Sequence, residues 1–135
     1  MTRIPPLIRE KVRERANNRC EYCLIPELPN VRSFHVDHIK PAKKHKGSDE
    51  LYNLAWACFD CNTTKSGEIA GYDPVTNQLT PLYNPRTQSW DEHFKKEGAT
   101  IVPISAFGRV TVELLEMNDP AQIEFRTLLI QLGLW

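Results

Sequence analysis

Apolar residues recur every four positions at Ile8, Val12 and Ala16, behind a Pro5-Pro6 pair suited to a helix entry. This spacing predicts an amphipathic helix over residues 7–17. Pro26, Pro29 and Asn30 then mark a loop, and residues 31–39 have the β-branched, alternating character of a strand ended by Pro41. Residues 40–50 read as a mobile polar loop, and residues 51–57 as a short apolar second strand containing Asn53. Asp60 is placed to cap a helix running to Lys65, with Gly67 as its stop.

From Gly71 the pattern breaks into short segments. Residues 72–79 read as a turn between strands, residues 90–96 as a short helix, residues 100–104 as a strand, and residues 110–117 and 121–132 as helices. Ile123, Leu128, Leu129 and Leu132 are available on the last helix for packing. This half reads as a wrap around the first; a partner-binding helix is the alternative. The 135 residues fit one domain, with a core at about 17–70 and an extension at about 71–135.

Charge changes the picture only through its distribution. The net charge is zero, yet residues 1–46 carry a surplus of about six positive charges and the remainder an equal negative surplus, so a polyanion would be steered to the first half. Two basic stretches lie there. The outer face of the first helix holds Arg9, Lys11, Arg13, Arg15 and nearby Arg19 with Glu10 and Glu14 between them, which fits a salt-bridged surface or a phosphate contact. The following loop holds Lys40, Lys43, Lys44, His45 and Lys46, with the same two readings open. No apolar run approaches the roughly 20 residues of a membrane span, and no apolar leader follows Met1, so the expected location is the cytoplasm and no membrane is involved.

The chain's four cysteines form two Cys-x-x-Cys pairs, Cys20 with Cys23 and Cys58 with Cys61. In this pattern each pair turns the chain so that both thiolates reach one tetrahedral ion, which predicts a structural Zn²⁺ site; two disulfides or a redox pair fit the spacing and compartment less well. Between the pairs, Asp37, His38 and Asn62 supply a carboxylate, an imidazole and an amide oxygen, the set that can hold a hard divalent cation beside a general base. Neighbouring residues on a strand point to opposite faces, so the strand has to twist or end at Asp37 and His38 if both are to reach one phosphate. His35 shares the Asp37 face on strict alternation and reads as an accessory ligand or as a packed or exposed histidine.

The run Phe34-His35-Val36-Asp37-His38-Ile39, with Cys58-Phe59-Asp60-Cys61-Asn62-Thr63-Thr64-Lys65, resembles the HNH endonucleases, whose three signature positions are here His38, Asn53 and Asn62. A weaker likeness through Gly71-Tyr72-Asp73-Pro74, Asn84-Pro85-Arg86, Trp90, His93-Phe94, Gly108-Arg109 and Met117-Asn118 is similar to the C-terminal part of small stand-alone bacterial members. The chain departs from many of them by carrying Asn62 in place of His. The resemblance implies an α+β domain with a ββα-metal core stapled by a Cys₄ zinc site. It also implies a metal-dependent DNA endonuclease leaving 5′-phosphate and 3′-hydroxyl ends. In that reading His38 is the general base, and Asp37 and Asn62 hold Mg²⁺ or another divalent cation. Asn53 braces the loop. From their own positions, Lys65 on the Asn62 face of its helix, Lys43 and Lys44 in the basic loop and Arg13 on the first helix are the expected nucleic-acid contacts. A non-catalytic zinc-dependent nucleic-acid or protein-binding module and an RNA-directed nuclease are the alternatives, and the protein could be a monomer or a homodimer.

Overall fold

Pro5 and Pro6 fix the entry of helix α1 (Pro6–Arg15), which buries Val12 and ends where Asn17 and Asn18 take left-handed backbone angles, φ 56° and 58°. The computed structural model describes residues 4–135. Arg9 and Arg15 of α1 are turned onto the protein. Arg9 donates to the Phe34 carbonyl (3.0 Å) and lies over the Trp56 ring (4.7 Å), Arg15 donates to the carbonyls of Leu51 (3.0 Å) and Leu54 (2.6 Å), and Arg13 pairs with Glu10.

The strand expected over residues 31–39 is confined to β1 (His35–His38), because a ladder extends only as far as its partner. That partner, β2 (Leu54–Ala57), runs antiparallel with His35 opposite Ala57 and His38 opposite Leu54, and beyond Ala57 the chain turns into the second cysteine pair. Residues 40–50, expected as a loop, contain one turn of helix. Pro41, with φ −60°, leads into the single-turn helix α2 (Ala42–His45), and Lys46 and Gly47 close it, the Gly47 N–H donating to the Pro41 carbonyl at 3.0 Å. Asn53 sits in a 3₁₀ turn (Leu51–Asn53) and not on the second strand, since its amide is used across the loop.

Helix α3 (Phe59–Lys65) is capped by Cys58, whose sulfur accepts the Cys61 N–H at 3.4 Å, rather than by Asp60, which lies in the first turn where its charge suits the helix dipole. It stops at Ser66 (φ 50°), one residue before Gly67. Hairpin and helix together form a ββα core around Trp56, which is fully buried.

The second half adds two more two-stranded antiparallel sheets, β3 (Ala70–Tyr72) with β4 (Leu79–Pro81) and β5 (Phe94–Glu97) with β6 (Thr100–Pro103). The helix expected over residues 90–96 is a 3₁₀ turn (Trp90–Glu92) followed by β5: Phe94 is buried while the next three residues are exposed, and Gly98 (φ 58°) turns the chain back onto β6. Helix α4 (Ala106–Leu114) begins earlier than the expected 110–117 because Ser105 caps it through the Gly108 N–H (3.0 Å). Gly108 is needed there, as a Cβ would meet the His93 carbonyl oxygen at 2.2 Å. Helix α5 (Pro120–Gln131) follows Asp119. One hydrophobic cluster runs from Val12 to Leu129, and the chain end is stitched to the first cysteine pair by Trp135 Nε1 donating to the Cys23 carbonyl (2.9 Å). Among the described residues no helix is long and apolar enough to cross a membrane.

The β3–β4 turn is locked to α4 by a two-pronged ion pair, Arg109 Nε and Nη2 donating to Asp73 at 2.8 and 2.7 Å. Hydrogen bonding from Arg109 holds the Asp73 carboxyl well below the usual range. A folded-state value below the unfolded one means that the unfolded chain binds more protons as pH falls, so this contribution is full above about pH 4 and is lost below it. The melting-temperature deficit of Asp73→Asn against wild type should therefore be large at neutral pH and shrink as pH falls below about 4. A deficit that is the same at both pH values would contradict the assignment.

Candidate active site

The two cysteine pairs converge. Their four sulfurs are buried and lie within 4.8 Å of one another, with Cys23 and Cys58 Sγ 3.7 Å apart. A tetrahedral zinc with Zn–S bonds of about 2.3 Å requires sulfurs about 3.8 Å apart, so the cluster fits such an ion, whereas a disulfide would need about 2 Å. Backbone N–H groups of Tyr22 and Cys23 point at Cys20 Sγ and that of Cys61 at Cys58 Sγ, each at 3.4 Å, which favours thiolates. Burial opposes ionisation of Cys20, but donation from the Cys23, Cys58 and Cys61 thiols holds it well below the usual thiol range. Cys58 and Cys61, held as donors towards Cys20 and Cys23, are pushed up. Ionising all four sulfurs at this spacing would need a cation to offset their mutual repulsion.

At the end of β1 the alternation of the strand is kept. Asp37 points inward, 4% exposed, and accepts from Tyr22 Oη (2.6 Å) and Lys65 Nζ (3.1 Å). Burial pushes its carboxyl up against the opposing pull of Lys65 and Tyr22, and burial beside that carboxylate raises the Tyr22 phenol well above its usual range. Lys65, expected to face a phosphate, is 1% exposed and donates also to the His38 (3.2 Å) and Ile39 (3.4 Å) carbonyls. Its ammonium fastens α3 to the end of β1 and is not presented to a ligand. The expectation that Lys65 contacts nucleic acid is corrected on that ground.

His38 points the other way, its side chain 23% exposed, with Nε2 2.7 Å from Asp49 Oδ1. Asp49 belongs to the loop that Asn53 holds together: Asn53 Oδ1 accepts the Lys40 N–H (2.8 Å), and its Nδ2 donates to the carbonyls of Lys40 (2.9 Å) and Ser48 (2.8 Å). Asn62, in the first half of α3, is half-buried, and its side chain makes no hydrogen bond among the described residues. Lys40, Lys43, Lys44 and Lys46 are exposed along the loop, with the Lys44 stem over Gly67. Arg13 lies on α1, paired with Glu10, and His35 packs near the Phe59 ring (6.1 Å between centroids).

The sequence reading missed Asp49 and Tyr22. Nothing in the spacing marks Asp49 until the loop is known to return to the strand end, although a carboxylate four residues before Asn53 is a usable signal. Tyr22, between the first two cysteines, is aimed at Asp37 by the turn that those cysteines make.

Removing one member of a buried ion pair leaves the other charged and unpartnered, at a cost of about 3–5 kcal/mol. Lys65→Met should destabilise the protein to urea by about that amount. A variant as stable as wild type would show that Lys65 is not the buried partner of Asp37. Cys20→Ser or Cys61→Ser should lower the melting temperature and abolish stoichiometric binding of a divalent cation such as zinc; retention of the cation by these variants would contradict the cluster.

The HNH endonuclease family model matches residues 20–68. No curated protein and no solved structure matches the chain. The match begins at the first cysteine of the cluster and ends just beyond α3, and HNH domains are in general nuclease domains. The matched residues 20–68 are the part of this chain that brings His38, Asn53 and Asn62 onto one ββα core, and over that stretch the chain is similar to the HNH endonuclease domain.

Proposed function

We propose that the protein is a metal-dependent DNA endonuclease of the cytoplasm, hydrolysing phosphodiester bonds with His38 as general base to leave 5′-phosphate and 3′-hydroxyl ends. The observation that carries this reading is the seat of His38. It is the last residue of β1 in an HNH core, its ring partly exposed and fixed at one nitrogen, next to a loop that presents Lys40, Lys43, Lys44 and Lys46. A neutral imidazole in that place can take the proton of an attacking water, while the lysines attract and hold the phosphate backbone.

Asp37 and Asn62 would hold Mg²⁺ or another divalent cation, and the four-cysteine cluster would hold Zn²⁺. The donor set supports the first assignment: a carboxylate has about four acceptor positions, of which Asp37 spends two, and the Asn62 amide oxygen is unspent. When bound, this cation supplies a Lewis acid for the charge that gathers on the phosphate and the leaving oxygen. Asn53 keeps the loop closed over the strand end, so that His38 does not move while the proton is transferred. The commitment of Asp37 to Lys65 and Tyr22 is the observation that favours a second reading, a zinc-dependent binding module without catalysis.

His38→Ala should bind DNA as wild type does but nick supercoiled plasmid about 10²- to 10⁴-fold more slowly in Mg²⁺, Mn²⁺ or Ni²⁺, with EDTA abolishing the wild-type reaction. Near-wild-type nicking by the folded variant would defeat the mechanism. Wild-type binding without any nicking would favour the binding module, and cleavage of RNA alone would move the substrate class. For the cation, Asn62→Ala should weaken metal-dependent cleavage and Asn62→His should keep it. Either Asp37→Ala or Asp37→Asn also takes the counter-charge from buried Lys65, so a loss of cleavage at this position is read only beside an unchanged melting temperature. Asn62→Ala with an unchanged metal titration would contradict that assignment.

A further inference from the structure

The loop between β1 and β2 is built to return a single carboxylate to His38. Gly47 lies so close to the Lys40 carbonyl that a Cβ there would stand 1.6 Å from its oxygen. The chain passes this contact, Ser48 gives its carbonyl to Asn53 Nδ2 (2.8 Å) and its hydroxyl to Tyr52 Oη (3.1 Å), and the Asn53 N–H donates to the Glu50 carbonyl (2.8 Å). The Ile39 N–H in turn donates to the Asn53 carbonyl (2.9 Å). Asp49 is held on both sides by these contacts, and its Oδ1 sits 2.7 Å from His38 Nε2.

We propose that Asp49 is a positioning residue for His38, fixing the imidazole with its proton on Nε2 and leaving Nδ1 as the atom that accepts a proton from water. An ionised carboxylate only accepts hydrogen bonds, so the short Nε2···Oδ1 contact requires the proton on Nε2. Nδ1 has no hydrogen-bond partner among the described residues, and the ring is 23% exposed, so that nitrogen is the one left for water. This gives Asn53 a physical route to the base: it holds the loop, the loop holds Asp49, and Asp49 holds the ring.

The inference rests on His38 being the base, and the test separates the two. In ¹⁵N-histidine NMR of the metal-loaded protein, wild type should show His38 as the Nε2–H tautomer with an exchange-protected Nε2 proton. Asp49→Ala should lose that protection, and Asp49→Asn should as well, since an amide can turn its NH₂ to the ring and draw the proton to Nδ1. In plasmid nicking, both variants should lose about 10- to 100-fold in kcat with little change in DNA affinity. Adding Asp49→Ala to His38→Ala should cost no further activity, because a residue that acts through His38 has nothing left to act on. A protected Nε2 proton in Asp49→Ala, or an equal loss in both backgrounds, would overturn the proposal. Wild-type nicking by His38→Ala would instead overturn the catalytic reading, and the tautomer spectra would still decide whether Asp49 fixes the ring.

Discussion

Four sulfurs meeting at one point are the constraint on which the rest of the core depends. A hairpin of two four-residue strands and a seven-residue helix are each marginal in water, since neither buries enough surface nor makes enough bonds to hold itself. The cluster joins the segment after α1 to the start of α3 and so fixes the hairpin between them. Cys58 serves twice, as a member of the cluster and as the cap of α3, which couples the direction of the helix to the cluster. The same turn that gathers Cys20 and Cys23 aims Tyr22 at Asp37.

Once α3 is fixed, strand alternation separates the functions of two adjacent residues. Asp37 faces in, where Lys65 and Tyr22 meet it, and His38 faces out, where Asp49 meets it. The buried pair fastens helix to strand at the residue before the proposed base, and the loop beyond is closed by Gly47 and Asn53. The ring of His38 is thus restrained from two sides of the chain. The exposed lysines share that loop, so the groups proposed to attract a polyanion and the group proposed to act on it are carried by one short piece of structure.

The parts of this arrangement that follow from local rules were legible in the sequence. Paired cysteines at knuckle spacing, apolar recurrence in α1 and α5, and a hairpin followed by a helix need no knowledge of distant partners. What could not be read depends on such partners. Asp60 looks like a helix cap until the Cys58 sulfur is seen to be aimed at the same N–H groups. Lys65, Arg9 and Arg15 look like phosphate contacts until their heads are found on Asp37 and on backbone carbonyls. Residues 90–96 carry charges at helical spacing, yet burial of Phe94 against the core and the Gly98 turn make the segment after Glu92 a strand. Asp49 belongs to the same class, because its meaning comes from a return of the chain that only the Asn53 bonds reveal.

The central claim is that the His38 imidazole takes a proton during phosphodiester cleavage, and chemical rescue addresses it most directly. His38→Gly leaves a space the size of the lost ring, which free imidazole can enter. The account predicts that this variant is nearly inactive on plasmid and regains cleavage in proportion to added imidazole, with no such effect on wild type or on His35→Gly. Cleavage by His38→Gly at the wild-type rate without imidazole would contradict it.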